Sequence, residues 1–534
     1  MDEQNWKDQM QIFNLMDENE KLKKKNQTLI RKNEHFKSTK AYKMWKKIAE
    51  LKSTLPQEEI KNISDIKIAF IADEFTYNSF KWECDAFTVT PKNWKRKFRE
   101  EKPDIFFCES AWRGYDDEGK EGVWKGRIVK RFNAKKDRRA PLLEIIEYCK
   151  IHSIPTVFWN KEDPPHYRTE SYSFAETAKE FDYIFTTSES CIKHYKKDFN
   201  HPNVNTLMFA GQPKLFNPLK FNDEKIDKVV FAGTYYTNHP KRIELMDMIF
   251  DKILEQWGDM LIYDRKYYED WANYPDRFLD YTHPPITFEQ TAEVYKKMDW
   301  GLNFNIITDS NTMFARRVFE LALCYVNILT NYSLGVDKIF GDNVFVFDDI
   351  DRLPDFNDSY DEKRLANLYN VLENHTYTNR LMQILDTIGI KYKLDKNDVT
   401  LIFKLNNLDD LEKIISKFES ITYDNKVLKI LVEDETIKFN AKKYPQIKKV
   451  YKNVKQIKKD IKTEFWMICD LNIENDFIAH AMLHYQYINK RISIKSDKNK
   501  FRLSIDEDFE NRLINKVNVS YIDNDDLKVH TYSI

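Results

Sequence analysis

The fold of this chain is most constrained by a series of short apolar segments that alternate with amphipathic, helix-like stretches and that occurs twice. The first series is IKIAFIAD (66–73), DAFTVTP (85–91), PDIFFCES (103–110), IPTVFWN (154–160), DYIFTTS (182–188) and VNTLMFA (204–210). Strands that are apolar on both faces and alternate with helices are typical of a parallel sheet covered by helices. The sequence therefore predicts a doubly wound, Rossmann-like α/β lobe over residues 61–222.

The alternation starts again after the linker GQPKLFNPLKFNDEK. The second series is KVVFAG (228–233), MLIYD (260–264), DWGLNFN (299–305), VNILTN (326–331) and NVFVF (343–347). We predict a second Rossmann-like lobe over residues 223–350 and a helical connector over 351–395. Two such lobes in succession indicate an enzyme whose ligand cleft lies between them.

A third pattern covers residues 396–534, for which we predict a separate α/β domain. Its first part, VTLIFKL, LDDLEKIISKFES and KVLKILVED, is a strand, a helix and a strand. Further on, TEFWMICDLNIENDF is a strand that runs into a group of acidic residues. A chain of 534 residues is too long for one core, which agrees with several domains.

Residues 1–52 are low in glycine and proline and favour a helix. A heptad pattern assigns two core positions, one to Leu15, Leu22, Leu29 and Phe36, the other to Ile12, Asn19, Asn26 and Asn33. Leucine at d with asparagine at a predicts a parallel coiled-coil homodimer, and a trimer is also compatible. The alternative is a single solvated helix that packs on its own protein.

The composition of the chain bears on its binding partners and on its location in the cell. The 85 Lys and Arg residues nearly balance the 86 Asp and Glu residues, so no basic field indicates a nucleic-acid partner. The six cysteines have neither CxxC nor metal-ligand spacing, which is typical of reduced thiols in a cytosolic protein. No apolar run reaches the roughly 20 residues of a membrane span. With no signal peptide at the start, we expect a cytoplasmic location, which includes the inner face of the membrane.

Candidate ligand-binding residues follow the strands of the second lobe, because ligands of open α/β sheets bind at the carboxyl ends of the strands. They are Gly233, Thr234, Arg242, Arg265, Arg316 and Arg317. Several cations together with helix N-termini suit a diphosphate. Since the chain has neither GxxxxGK[ST] nor GxGxxG, a nucleotide diphosphate joined to another group fits better than ATP or NAD.

The segment SNTMFARRVFE (310–320) carries the most specific prediction. Glu320, two turns into a helix, has a carboxylate that can accept two hydrogen bonds from a ribose diol. Asn311, Thr312 and Met313, at the start of the same helix, are expected beside the diphosphate and its attached group. The alternative is a surface ion pair of Glu320 with Arg316 at i, i+4.

In the first lobe, FWNKEDPPHY ends a strand and offers Lys161, Glu162, Asp163 and His166 to the cleft. Of these, Glu162, Asp163 and His166 are candidate catalytic residues, since carboxylates and a histidine can act as a base or stabilise a cationic centre. Alternatively, Asp163 before two prolines is ordinary turn chemistry. Candidate acceptor-binding residues follow the third strand: Glu109, Ser110, Trp112 and Arg113.

These motifs carry a family resemblance. FAGTYY, YKKMDWGLNFN, DSNTMFARRVFELALC and NYSLGVDKIFGDNVFVF resemble the donor lobe of CgeB-like (spore-maturation-type) group-1 glycosyltransferases, and CESAWRG, FWNKEDPPHY and FDYIFTTS resemble their N-terminal lobe. The resemblance covers roughly residues 65–350. It implies a GT-B fold, a UDP-type nucleotide-sugar donor on the C-terminal lobe, an acceptor on the N-terminal lobe, and no metal or cofactor. One departure is Thr312, which stands where related retaining enzymes have a glutamate.

The last domain is similar to the start of family-2 (GT-A) glycosyltransferases, which hold a metal and a donor diphosphate with a cluster of aspartates. Here the corresponding residues read Asp470, Leu471, Asn472, Ile473, Glu474, Asn475 and Asp476. Because leucine and isoleucine interrupt the acids, we expect a degenerate, non-catalytic GT-A-like domain that packs on the enzyme or contacts polymer.

The sequence and the resemblance together predict a glycosyltransferase, a hexosyl- or N-acetylhexosaminyl-transferase. Its expected acceptor is a cell-envelope or surface glycopolymer such as teichoic acid or capsule. Two alternatives stay open: a non-catalytic coiled-coil protein that binds or assembles glycan, and another two-lobed nucleotide-sugar enzyme such as an epimerase.

Removal of residues 1–50 is expected to convert an oligomer into a monomer, because the apolar stripe of this helix is covered only by pairing. Turnover on a short acceptor should stay near normal, whereas use of a long polymer should fall, since linked sites gain effective concentration. Light scattering on both proteins measures the change. A full-length protein that is monomeric at micromolar concentration contradicts the coiled coil.

Overall fold

The computed structural model describes residues 39, 60–219, 226–269, 274–348, 353–356, 358–394, 397–497, 501–506, 511–516 and 529–534. The predicted coiled coil over residues 1–52 lies outside the described residues, apart from Thr39. Residues 61–534 form one unit that holds three large sheets. No helix among the described residues combines the length and the apolarity that crossing a membrane requires.

The N-terminal lobe is built on a six-stranded parallel sheet. Its strands are β1 (Lys67–Ile71), β2 (Asp85–Thr88), β3 (Ile105–Glu109), β4 (Thr156–Asn160), β5 (Tyr183–Thr186) and β6 (Val204–Thr206), in the order β2-β1-β3-β4-β5-β6. Its helices are α1 (Glu74–Phe80), α2 (Trp94–Glu101), α3 (Ala140–His152), α4 (Ala175–Ala178) and α5 (Glu189–Phe199). Lys130–Arg131 and Tyr172–Ser173 form a small antiparallel ribbon beside it. All six predicted strands are present.

The C-terminal lobe has a second six-stranded parallel sheet. Its strands are β7 (Ile226–Ala232), β8 (Leu261–Tyr263), β9 (Thr282–His283), β10 (Met298–Asn303), β11 (Asn327–Thr330) and β12 (Phe345–Val346), in the order β9-β8-β7-β10-β11-β12. Its helices are α6 (Pro240–Trp257), α7 (Asp276–Leu279), α8 (Phe288–Lys296), α9 (Arg317–Leu323) and α10 (Leu334–Phe340), with a 3-10 turn at Gly341–Asn343. The prediction of parallel α/β sheets is thus confirmed. Strand β9 was not predicted, because two residues show no period.

Close packing of α9 on this sheet requires a glycine. A Cβ atom at Gly301, in the middle of β10, would lie 2.4 Å from a methyl carbon of Leu321 on α9. All residues of α9 from Val318 to Leu323 are buried. The helix that carries the predicted ligand-binding residues is therefore seated directly on the sheet.

The predicted helical connector consists of two helices that belong to different parts of the fold. Helix α11 (Asp361–Asn374) packs against α9 of the C-terminal lobe. Helix α12 (Tyr377–Ile388) crosses to the N-terminal lobe, where Tyr377, Leu381, Ile384 and Leu385 join its core. Beyond α12, Tyr392–Lys393 pairs in parallel with Lys61–Asn62, which precedes a 3-10 turn at Ile63–Asp65. The two ends of the two-lobed part of the chain are therefore joined.

The two stretches of chain that connect the lobes lie side by side. The amide of Gly211 donates to the carbonyl of His375 (2.9 Å), and the amide of Tyr377 donates to the carbonyl of Gly211 (3.2 Å). Gly211 and Thr376 thus form an isolated parallel bridge.

The third sheet has eight strands. They are β13 (Val399–Lys404), β14 (Lys426–Leu431), β15 (Ile447–Tyr451), β16 (Phe465–Cys469), β17 (Ser493–Lys495), β18 (Leu503–Asp506), β19 (Arg512–Asn515) and β20 (Val529–Ser533), in the order β15-β14-β13-β16-β19-β17-β20-β18. The strands from β13 to β16 are parallel, and β19 pairs antiparallel with β16. Its helices are α13 (Leu411–Ser420), α14 (Val454–Asp460) and α15 (Phe477–His484), with 3-10 turns at Leu408–Asp410 and Ala441–Lys443.

This third region packs on the C-terminal lobe rather than standing apart from it. Buried residues of α9, α11 and strands β13 and β16 belong to one continuous hydrophobic cluster. Helix α15 contacts α11, where the ring of His480 stacks on Tyr369 (3.8 Å between centroids). Just after α15, the side-chain amide of Gln486 donates to the carbonyl of Leu372 on α11 (2.7 Å).

Candidate active site

In both parallel sheets the strand order reverses at one point, which creates a crevice at the carboxyl ends of the strands where ligands bind. The reversal lies between β1 and β3 in the N-terminal lobe and between β7 and β10 in the C-terminal lobe. Asp73 and Ser110 follow the first pair of strands, and Gly233 follows β7.

Buried amide side chains anchor the loop that follows β10. The amide of Asn305 donates to Asn331 Oδ1 (2.7 Å), and Asn331 Nδ2 donates back to the carbonyl of Asn305 (3.1 Å). Asn305 Oδ1 accepts the amide of Ala315 (2.9 Å). Both asparagines are buried, so this pair ties the start and end of the loop to the sheet.

Gly335 allows the same loop to lie against α10. A Cβ atom at Gly335 would be 2.8 Å from the backbone oxygen of Asn311 and 2.5 Å from a ring carbon of Phe314. The amide of Leu334 donates to the carbonyl of Thr308 (2.9 Å). The position of residues 310–313 therefore depends on the absence of a side chain here.

Arg316 joins the predicted ribose-binding residue to the opposite lobe. Its Nε donates to Glu320 Oε1 (2.8 Å), so the i, i+4 ion pair considered from sequence is present. Its guanidinium also lies over the ring of Phe75 in the N-terminal lobe, 4.3 Å from the centroid, and near Phe288 (5.6 Å). The carboxylate of Glu320 is nearly buried, with 6% of its side chain exposed. A ligand diol at Glu320 would share the carboxylate with Arg316.

Two other arginines of the prediction surround the end of β7. Arg317 donates from Nε to Tyr295 Oη (3.2 Å) and from an Nη to the carbonyl of Ala232. Arg242 donates to the carbonyl of Thr234 (3.0 Å), and its burial lowers its pKa to about 10. Both cations therefore lie at the crevice of the C-terminal lobe.

Arg265 lies at the edge of this group, exposed, and donates to Tyr236 Oη (2.6 Å). Thr234 is buried, and its hydroxyl donates to Asp264 Oδ1 (2.9 Å), where burial raises the pKa of the carboxyl group. The backbone oxygen of Gly233 accepts from Tyr274 Oη (2.7 Å).

Asn311 and Thr312 contact the N-terminal lobe. The amide of Asn311 donates to Glu189 Oε1 (2.7 Å), and the hydroxyl of Thr312 donates to the carbonyl of Thr187 (2.8 Å). Met313 is half-buried beside them. The segment predicted to bind the diphosphate and sugar is thus part of the junction between the lobes.

In the N-terminal lobe, Asp73 organises the crevice. Its carboxylate accepts the backbone amides of Trp112, Arg113 and Gly114 (2.7–3.0 Å) and lies 3.3 Å from the amino group of Lys161. Burial acts to raise the pKa of Asp73, but Lys161 and the three amides outweigh it and lower the pKa.

Glu109 and Ser110 are fully buried beside this group. Glu109 accepts from the amide of Asp73 and the hydroxyl of Thr76, and lies 3.4 Å from Lys161 Nζ. Burial, with the nearby Asp73, raises the pKa of Glu109 to about 7 against the lowering effect of Lys161. Ser110 Oγ accepts the amide of Lys161 (3.0 Å). Their burial argues against direct acceptor contacts for Glu109 and Ser110.

Three predicted residues come together at a more open place. The ring of His166 lies edge-on to Trp112 (5.6 Å between centroids), and its Nε2 is 3.9 Å from Glu162 Oε2. Tyr172 Oη lies 2.7 Å from His166 Nδ1. Arg113 is exposed and pairs with Glu121 (3.1 Å) instead. Glu162, His166 and Trp112 therefore form one polar and aromatic group.

Asp163 faces away from this group into the lobe. Its carboxyl group is fully buried and accepts from Asn160 Nδ2 (2.7 Å), Thr186 Oγ1 (2.6 Å) and Tyr195 Oη (3.1 Å). Burial raises its pKa to about 7. These internal partners argue against a catalytic contact for Asp163 and favour the turn chemistry considered from sequence.

The acidic residues of the third region lie on an exposed loop after β16. Asp470 accepts from Asn511 Nδ2 (2.6 Å) and from the amide of Asn472 (2.7 Å). Asp476 lies 3.8 Å from the ring nitrogen of His480. Within the described part of the chain, no group of three or more His, Cys, Asp or Glu side chains could hold a metal ion.

Sequence reasoning missed three residues at the junction: Asp73, Phe75 and Glu189. Asp73 ends the first apolar segment, and Glu189 follows the fifth, so the rule that selected Glu109 applied to both. Phe75 gave no such signal, because only the tertiary structure brings it to Arg316.

Residues 247–386 match the family model of glycosyl transferase-like proteins, so this segment is glycosyl transferase-like in sequence. No curated protein matches the chain. Among solved structures, the chain is similar to an α-glucosyltransferase in complex with UDP-glucose and DNA containing an abasic site, at 12% identity over 60% of this chain and 99% of that chain, with a TM-score of 0.44. It is also similar to TarM of S. aureus in complex with fondaparinux, α-GlcNAc-glycerol and UDP, at 12% identity over 52% and 66% of the two chains, with a TM-score of 0.32.

Replacing Gly335 by alanine is expected to displace residues 310–314, because the added methyl group would overlap the backbone of Asn311 and the ring of Phe314. We expect a loss of about 1–3 kcal/mol in the free energy of unfolding, typical of overpacking. Amide exchange of residues 310–314 should accelerate. Lys338→Ala, at an exposed position of the same helix, is the control. Unchanged exchange in Gly335→Ala contradicts the close approach.

Proposed function

We propose that this protein is a GT-B glycosyltransferase that moves a hexosyl or N-acetylhexosaminyl group from a UDP-type nucleotide sugar to a cell-envelope or surface glycopolymer such as teichoic acid or capsule. The observation that carries the proposal is the meeting of the two crevices. Arg316, which is bonded to Glu320 inside the segment that matches the glycosyl transferase-like model, lies over the ring of Phe75, and Lys161, the partner of Asp73, lies over the same ring.

The C-terminal lobe is the proposed donor side. Arg316, Arg317 and Arg242 supply positive charge near the end of β7, which suits the two phosphates of a nucleotide diphosphate. Glu320 is the proposed partner of the ribose diol, where it would accept hydrogen bonds beside its bond from Arg316. Residues 310–313 are proposed to contact the diphosphate and the sugar.

The N-terminal lobe is the proposed acceptor side. Trp112 offers an aromatic surface on which a sugar ring can pack, and Glu162 and His166 lie beside it. Either group can take the proton of an acceptor hydroxyl as its oxygen bonds to the transferred sugar, while the bond from that sugar to the diphosphate breaks and UDP leaves. We propose no catalytic role for Asp163, because its oxygens are bonded inside the lobe.

The third region is proposed to be a degenerate GT-A-like domain without a reaction of its own. Its parallel strands and the acidic loop after β16 support the likeness. The packing of α15 on α11 supports a role in holding the C-terminal lobe.

A thermal-shift screen against nucleotide sugars tests the proposal, because a ligand that binds only the native state raises the melting temperature. Transfer from the best ligand to isolated envelope polymer is then measured. An interconverted sugar without a polymer product indicates an epimerase. Binding of glycan with neither transfer nor hydrolysis of the donor indicates the non-catalytic alternative.

Glu320→Ala is expected to weaken UDP-sugar binding by about 1.5–3 kcal/mol, the range for a hydrogen bond to a charged group. Isothermal titration calorimetry measures the change, and Glu362→Ala, an exposed carboxylate on α11, is the matched control. Arg316→Ala/Arg317→Ala should weaken UDP more than uridine, since only UDP carries phosphates. Unchanged donor affinity in a folded Glu320→Ala protein removes this assignment.

In contrast to Glu320, the acidic residues of the loop after β16 are expected to be dispensable for transfer. Asp470→Ala and Asp476→Ala should each leave the transfer rate nearly unchanged, because the proposed reaction does not pass through this loop, and EDTA should not inhibit it. The rate of sugar transfer with and without EDTA is the measurement. Loss of activity that manganese restores would mean that the third region, not the crevice between the lobes, is catalytic.

A further inference from the structure

Glu189, the first residue of α5 in the N-terminal lobe, is held almost entirely by the C-terminal lobe. Its Oε1 accepts from the backbone amide of Asn311 (2.7 Å) and from Asn311 Nδ2 (3.0 Å). Its Oε2 accepts from the hydroxyl of Ser310 (2.6 Å) and lies 2.5 Å from Thr312 Oγ1, whose one proton is shared between this oxygen and the carbonyl of Thr187. We call this set of contacts between Glu189 and residues 310–312 the clasp.

The clasp also includes backbone groups of Glu189 and of residues 310–313. The amide of Glu189, in the first turn of α5, donates to Thr312 Oγ1 (3.0 Å), so a hydroxyl from the opposite lobe caps this helix. The amides of Thr312 and Met313 donate to Ser310 Oγ (3.2 and 3.0 Å). The three backbone amides from 311 to 313 therefore all have partners within the protein.

The carboxylate in the clasp is an anion. Burial acts to raise the pKa of Glu189, but the hydrogen bonds from Ser310, Thr312 and Asn311 outweigh it and lower the pKa to about 2. Hydroxyl and amide groups that converge on one anion are the same kind of groups that bind a phosphate oxygen.

We propose that Glu189 is a gate for the donor: its carboxylate occupies the anion-binding position of residues 310–312 in the free protein, and the diphosphate of the nucleotide sugar takes that position when the donor binds. The inference rests on the proposed function, because it takes residues 310–313 as part of the donor site. Donor and Glu189 compete for one set of hydrogen-bond donors, so donor binding opens the clasp and releases residues 310–312 from α5.

Because Glu189 and the donor compete for the same hydrogen-bond donors, removal of the Glu189 charge should raise the affinity for UDP. The apparent affinity for a ligand falls by the fraction of protein that is competent to bind it, so a clasp that is mostly closed weakens the donor. Glu189→Gln removes the charge and replaces one acceptor oxygen by an amide nitrogen. We expect it to bind UDP about tenfold more tightly than the unaltered protein, the ratio set by one weakened charge-assisted bond. Glu189→Asp keeps the charge on a shorter side chain and should show a smaller gain.

Two measurements on the full chain test the gate. Hydrogen–deuterium exchange without ligand should be faster at residues 310–314 in Glu189→Gln than in the unaltered protein. Calorimetric titration with UDP should show tighter binding by the same variant. Glu180→Gln, an exposed carboxylate of the same lobe, should change neither quantity. Glu189→Asp serves both measurements if Glu189→Gln does not fold.

The outcomes separate this inference from the proposed function. Unchanged exchange in Glu189→Gln shows that the clasp does not close and overturns the gate. Faster exchange with equal or weaker UDP binding overturns the competition, because Glu189 then helps the donor rather than opposing it. If neither the unaltered protein nor any variant binds UDP or UDP-sugars, the proposed function is wrong and the gate with it, even where exchange shows the clasp.

Discussion

The packing of α12 on the N-terminal lobe is the contact on which the junction of the two crevices depends. Arg380 donates to the carbonyls of Met208 and Phe209 (both 3.0 Å), and burial lowers its pKa to about 10. Tyr377 lies edge-on to Phe80 (4.8 Å between centroids) within the core of that lobe. Helix α11 packs on the C-terminal lobe, and α12, which follows it directly, packs on the N-terminal lobe. This pair of helices therefore fixes the two lobes to each other, so that both sheets present their carboxyl ends to a common junction.

At this junction the polar groups that suit a ligand are bonded to each other. Glu320 holds Arg316, Arg316 lies over Phe75, and Glu189 holds residues 310–312. Buried polar groups require partners, and here side chains and backbone groups of the protein supply them. Under the proposed function, a donor would exchange bonds with these groups, and its affinity would reflect the difference between two sets of contacts.

The sequence was sufficient for most strands of the two lobes, because runs such as PDIFFCES hold a continuous apolar stretch, Ile105 to Cys108, in a strand that is buried on both faces. It could not find β9, whose two residues have no period. Of its two explanations for Glu320, the ion pair with Arg316 is present, and the contact with a ribose diol stays a proposal. The sequence left two roles open for Asp163, whose burial could not be predicted because the direction of a side chain after a strand depends on the turn. Contacts across the lobes, such as Phe75 with Arg316, arise from tertiary packing alone.

The bridge between Gly211 and Thr376 has a mechanical consequence. The two connections between the lobes are bonded to each other rather than set far apart. They therefore form one hinge point and not two separate links. A relative rotation of the two lobes would therefore turn about this bonded point. The backbone at Gly211 packs closely on Leu323, since a Cβ atom at Gly211 would lie 2.4 Å from a methyl carbon of that side chain. Any larger residue at position 211 would push this hinge point away from the helix that carries Glu320.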